Sequence, residues 1–209
     1  MAEQEKKFII EIFRKKDAEE LSAALADTEG KLNVGSAAAL TAADACAMAL
    51  RAAGLTSGGP DTERMAYISR NLESLRGYMV YLIDEDVKGL NILRRALKEG
   101  DRQKIDAARQ PACAISNEVI CQMANLIELL DELSAGCTAE AAPFLGSAVH
   151  MALAALQSAR LFAVGMSGQS TDETFRFITR RENEITWERL RPLTERILSR
   201  AEEALRREN

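Results

Sequence analysis

Only one histidine, His150, occurs in the 209 residues, and none of Cys46, Cys113, Cys121 and Cys137 forms a C-x-x-C pair. Zinc sites draw on these two residue types at short spacings, so no metal site is expected. The thiols read instead as free, mostly buried cysteines of a reducing compartment, the cytoplasm. A basic surplus is missing too. The net charge of −5 speaks against a nucleic-acid partner, which requires a positive face. Glycine-rich phosphate loops are absent, and Gly165-Met166-Ser167-Gly168-Gln169 misplaces the second glycine of G-x-S-x-G. At the N-terminus, Glu11 interrupts the apolar residues Phe8, Ile9, Ile12 and Phe13, and acids precede them, which is not the pattern of a signal peptide. The most apolar stretch, Phe144 to Met166, contains His150, Gln157 and Arg160. It is expected to be a core helix with a hydrogen-bonded histidine, not a membrane span. Few aromatics, four prolines and no alternating β-branched run leave little material for strands.

What remains is helical. Hydrophobic residues make up 47% and charged residues 28%, with Ala, Leu, Glu and Arg abundant, so one globular all-α domain spanning 1–209 is expected. The reading is an antiparallel bundle of about five to seven helices, several of them long. A first helical region covers 4–27, with Asp17 a candidate cap, and a loop runs from Glu29 to Gly35. Ser36 is a candidate N-cap of an Ala-rich central helix ending near Gly54. Ser57-Gly58-Gly59-Pro60 is the clearest turn. A long helix runs from Asp61 to about Glu99, near 39 residues or roughly 58 Å, with Gly77 and Gly89 as candidate bends. Gly100-Asp101 is a stop and restart, and Pro111 suits the first turn of the next helix. Pro143 opens the apolar helix that ends near Gly165. Ser170-Thr171-Asp172-Glu173 reads as a capping box for a last helical region, broken or kinked at Pro192. The arginines of that region (Arg180, Arg181, Arg189, Arg191, Arg196, Arg200) alternate with glutamates, as on a solvated face carrying i,i+4 pairs.

One residue breaks the apolar rhythm of the long helix. Met65, Ile68, Leu72, Leu75, Met79 and Leu82 recur at steps of three and four, and the next places hold Asp86 and Gly89 before Leu93 and Ala96 resume the stripe. A carboxylate followed one turn later by a missing side chain makes a notch with an acid in it. Ionised carboxylates are costly to bury without a partner, so Asp86 is either paired or there to act. Asp84 points to the opposite side and carries no such expectation.

Taken in order, these features resemble the cyclodeaminase family: the C-terminal half of formiminotransferase-cyclodeaminase and its free-standing bacterial relatives. The family's Pro-Gly-Gly-Gly-Ser-Val-Ala-Ala loop corresponds to Asn33-Val34-Gly35-Ser36-Ala37-Ala38-Ala39. Its Leu-Thr-x-Gly-Lys corresponds to Leu55-Thr56-Ser57-Gly58, with Gly59 for the lysine. Its Asp-x-Asp-x-x-Ala-Phe corresponds to Asp84-Glu85-Asp86-Val87-Lys88-Gly89-Leu90, which places the family's catalytic acid on Asp86. The chain departs elsewhere. Ala135-Gly136-Cys137 and Phe144-Leu145 replace a Gly-Asn and a Ser-Asp, and Ala163-Val164-Gly165-Met166-Ser167 replaces Asn-Val-x-x-Asn. These polar groups are expected to line the folate pocket. The resemblance implies a cytoplasmic homodimer that converts 5-formiminotetrahydrofolate to 5,10-methenyltetrahydrofolate and ammonia, with a folate substrate and no cofactor. Alternatives are hydrolysis of the methenyl compound, or a non-catalytic scaffold with an eroded pocket. Asp86 is then the acid–base group. Gly35 and Ser36 offer hydrogen bonds to the substrate, and Lys31 or Arg51 meets its glutamate tail, although a surface role explains these two equally well.

Overall fold

The computed structural model describes residues 12–56 and 62–207. The Ser57–Pro60 turn and the apolar residues Phe8 and Ile9 lie outside the described residues. Among those described there are six α-helices and no strand: α1 (Ala18–Ala26), α2 (Val34–Leu55), α3 (Thr62–Glu99), α4 (Arg102–Ser134), α5 (Ala142–Ser167) and α6 (Glu173–Arg207). A short 3-10 turn, Phe13–Lys15, precedes α1.

Local chemistry explains most of the ends. Asp17 caps α1 by accepting from the Glu20 N–H at 2.8 Å. Gly100 takes a left-handed φ of 72° beyond α3, the conformation glycine adopts at least cost. Asp101 then accepts from Gln103 and Lys104 N–H to start α4. Two expectations fail here. Asn33 caps α2, which leaves Ser36 inside the first turn. Pro111 lies within α4, because the Asp101 cap starts that helix nearly three turns earlier. At Pro192, where a break or kink is expected, there is no break, and α6 continues to Arg207. This proline is exposed, as is Glu188 one turn before it, so water can serve the carbonyl that Pro192 cannot. The Ser170-Thr171-Asp172 start of α6 is bound at both ends. Asp172 accepts from the Phe175 N–H, while Ser170 and Thr171 donate to Asp106 of α4.

Core packing follows side-chain size. α2 buries Ala38, Ala39, Ala42, Ala45, Ala49 and Ala52, and α5 buries Ala148, Ala152, Ala155, Ala159 and Ala163. Small side chains let these two helices approach closely, and together with α3 and α4 they form the centre. By length and composition α2 and α5 are apolar enough to cross a membrane, yet here they pack against one another. Larger residues fill the remaining interior: Ile68, Leu72 and Met79 from α3, Met123, Leu126, Ile127 and Leu130 from α4. A smaller cluster of Leu90, Leu93, Ala96, Ala108 and Ala112, flanked by Ile105, Phe162 and Met166, closes the far end of α3. Asp86 falls in sequence where the main cluster gives way to this second one.

The arginines of α6 do more than solvate a face. Arg191 and Arg206 make i,i+4 pairs, but Arg189 reaches Glu128, and Arg196 and Arg200 reach Asp131, both on α4. These pairs fasten α6 to α4 along one edge.

Candidate functional site

Asp86 is 1% exposed, so the acid that interrupts the stripe lies on a buried face. What fills it comes from α2. Asn33 caps that helix, and the next residues present backbone N–H groups that have no acceptor inside the helix. The Ser36 N–H donates to Asp86 Oδ2 at 2.9 Å, and the Ser36 hydroxyl lies 2.8 Å from the same oxygen and 3.2 Å from the Ile83 carbonyl. Oδ1, by contrast, is buried and has no hydrogen-bond partner. One oxygen is thus pinned by two donors while the other is left unsatisfied.

The glycine that makes room for the acid is not the one the stripe suggested. A Cβ on Gly35 would lie 2.6 Å from Asp86 Cγ and still closer to Oδ1, so only a glycine fits there. The space beside Gly89 is occupied by the Pro111 carbonyl of α4, which a Cβ would meet at 2.9 Å. Gly89 therefore marks a close crossing of two helices, and it opens no cleft for Asp86.

Opposing forces act on the carboxyl. Burial pushes its pKa above the ordinary carboxylate value. The two Ser36 hydrogen bonds and the positive charge of Arg94 pull the other way, and burial prevails. The protonated form of this carboxyl is therefore favoured over that of an exposed aspartate. It is also oriented, because Ser36 holds it.

The sequence-selected residues divide. Gly35 and Ser36 meet Asp86. Lys31 lies exposed on the loop that enters α2. Arg51 is not brought to the acid: it is 15 residues further along α2 than Ser36, about 22 Å of helix, with its guanidinium 4.7 Å from the centre of the Phe144 ring. Asp84, set aside earlier, has a task after all. Its Oδ1 accepts from the Phe13 N–H at 2.7 Å, and its Oδ2 lies 3.4 Å from Arg14, so it holds the N-terminal turn onto α3. His150 is exposed on α5, so the core histidine expected there is not found. Ala163 and Ser167 are buried, and the Ser167 hydroxyl is spent on the Val164 carbonyl. Cys46 and Cys113 are buried thiols pushed up to about 12, far from thiolate reactivity.

Two features escaped the sequence reading. Arg94, two turns beyond Asp86, donates to the Gly30 carbonyl at 2.9 Å and so ties the loop before α2 to α3. A groove of about 360 Å³ separates α4 from α6, with Asn117, Asn125, Asn183 and Thr186 in its walls. Asn183 is buried, and its Oδ1 has no partner. Counting back from Leu190 by seven and then four finds Asn183 and Thr179, polar residues on a buried stripe. That is the same signal that exposed Asp86. Asp86 lines neither this groove nor the one of about 350 Å³ between α3 and α4.

Comparison with known proteins agrees with this architecture. The model of the formiminotransferase-cyclodeaminase family matches residues 17–183. The fold is similar to the crystal structure of formiminotetrahydrofolate cyclodeaminase from Thermotoga maritima, with a TM-score of 0.83 and 22% sequence identity over 90% of this chain and 96% of that one. No curated protein sequence matches the chain.

Proposed function

We propose, for a chain that belongs to the formiminotransferase-cyclodeaminase family, that Asp86 is the acid–base residue of a cyclodeaminase acting on 5-formiminotetrahydrofolate. In this reaction N10 attacks the formimino carbon carried on N5, 5,10-methenyltetrahydrofolate forms, and the displaced nitrogen leaves as ammonia. With the formimino group taken up in its protonated form (–CH=NH2+), N10 has one proton to lose and the leaving –NH2 has one to gain, and the positive charge passes to the methenyl product. A single carboxyl can take the first and supply the second, provided its pKa stands near neutrality. The observation that carries the reading is the state of Asp86: buried, raised in pKa, fixed through Oδ2 and unpartnered at Oδ1. Oδ1 is the atom from which the proton would pass. The substrate brings the reacting carbon itself, so the reading calls for no cofactor. It also includes a cytoplasmic homodimer. Support for the dimer comes from α3, which is about 57 Å long and exposes Tyr67, Tyr78, Tyr81 and Ile92.

One observation favours a second reading. Asp86 is shut from solvent, Phe162 and Met166 pack against the cluster that contains Leu90, one turn away, and Ala163 and Ser167 stand where the resemblance places the family's asparagines. On that reading Asp86 only satisfies the start of α2, and the protein is a scaffold. Ammonia release from 5-formiminotetrahydrofolate decides between them. Catalysis predicts turnover by the wild type and a loss of about a hundred- to ten-thousand-fold in Asp86→Asn. A folded wild type that releases no ammonia refutes the cyclodeaminase reading. Loss of methenyltetrahydrofolate absorbance under the same conditions would instead identify the hydrolytic reaction.

A further inference from the structure

Asp86 and Arg94 lean on one stretch of chain, residues 30–36: the acid through Ser36, the base through the Gly30 carbonyl. Arg94 is half-buried, and its partner is a neutral carbonyl. Other arginines that tie elements together have acids: Arg14 has Asp84, Arg64 has Glu132, Arg189 has Glu128, and Arg196 and Arg200 share Asp131. Among the described residues Arg94 has no carboxylate within ion-pair distance. A guanidinium offers five donors, and the Gly30 bond uses one of them, so a fork suited to a carboxylate remains available.

We propose that Arg94 is the carboxylate-binding residue of the Asp86 site, taking the glutamate end of the substrate. This rests on the folate reading above. The rise from residue 86 to 94 is about 12 Å along the helix, a span that matches an aromatic ring and an amide between the reacting nitrogen and the carboxylate. Lys31 follows Gly30 directly and adds positive charge at the same end. Arg51 cannot serve, because it stands about four turns of α2 away. The tail therefore runs along α3 towards its C-terminal end.

Calorimetric titration with p-aminobenzoylglutamate and, separately, with p-aminobenzamide tests the assignment on the full chain. The wild type should prefer the carboxylate-bearing fragment. Arg94→Gln should weaken it about tenfold or more, the usual worth of a charge-assisted hydrogen bond, and leave p-aminobenzamide unchanged. Arg94→Lys should recover part of the loss, since it keeps the charge without the fork, and it decides the matter alone if Arg94→Gln does not fold. Equal binding of the two fragments by the wild type, or equal binding of p-aminobenzoylglutamate by wild type and both variants, overturns the proposal. Failure of the acid–base reading has a different signature, the absence of ammonia release.

Discussion

Replacing Gly35 by alanine tests the geometry of the site without touching a polar atom. Gly35 has ordinary helical φ, so the backbone accepts alanine. In a helix interior that exchange stabilises by up to about 1 kcal/mol. Here the added Cβ would sit 2.6 Å from Asp86 Cγ, where no carbon–carbon contact is tolerated. The carboxylate is short, buried and held by Ser36, so relief requires shifting α2 against α3 or breaking those bonds. Overpacking of this kind costs about 1–3 kcal/mol, which outweighs the propensity gain. The expected result is a lower urea midpoint with unchanged slope. The companion measurement is the same substitution in an Asp86→Ala background. With the carboxylate gone, alanine at 35 has space and should be neutral or stabilising by up to about 1 kcal/mol. The double-mutant cycle should therefore show coupling of about 1–3 kcal/mol, within the range for residues in contact. If Gly35→Ala has the same effect in both backgrounds, Asp86 does not occupy the place described and the account of the site fails.

Other outcomes follow from the same structure. Asp86 titrates above an unfolded aspartate, so its folded form favours the proton. Wild-type stability should fall as pH rises from the ordinary value of 3.8 through the raised one. Asp86→Asn should lose that slope in pH-dependent urea melts, and parallel profiles would contradict the shift. Asp131 behaves oppositely, held low by hydrogen bonding to Arg196 and by the charges of Arg196 and Arg200. Its contribution is present above 3.8 and lost as pH falls through the depressed value. Asp131→Asn should cost about 1 kcal/mol at neutral pH, modest because Arg196 is half exposed and solvent screens the pair; a larger loss in high salt than in low would refute an electrostatic origin. Light scattering at micromolar concentration should give the mass of two chains, and the mass of one would exclude the homodimer.

Period and composition alone determined much of this protein. The three–four spacing on α3 identified Asp86 as the polar intruder on a buried face, and such spacing needs no knowledge of what lies opposite. The all-α class, the cap at Asp17, the stop at Gly100 and the start of α5 near Pro143 were equally legible, because each depends on neighbours within one or two turns. Tertiary structure decided whatever depends on the facing element. From one strand of sequence Gly89 and Gly35 both look like missing side chains, yet only packing shows that the first admits the Pro111 carbonyl and the second admits the acid. Asp84 acquired its role because the N-terminal turn returns to it across about seventy residues of chain. Arg51 stands about four turns of α2 from Ser36 and meets the Phe144 ring, while Arg94 reaches the loop before α2 because Gly30 comes back against α3. A side chain's period tells which way it points along its own helix; what it meets there is fixed by how the helices pack.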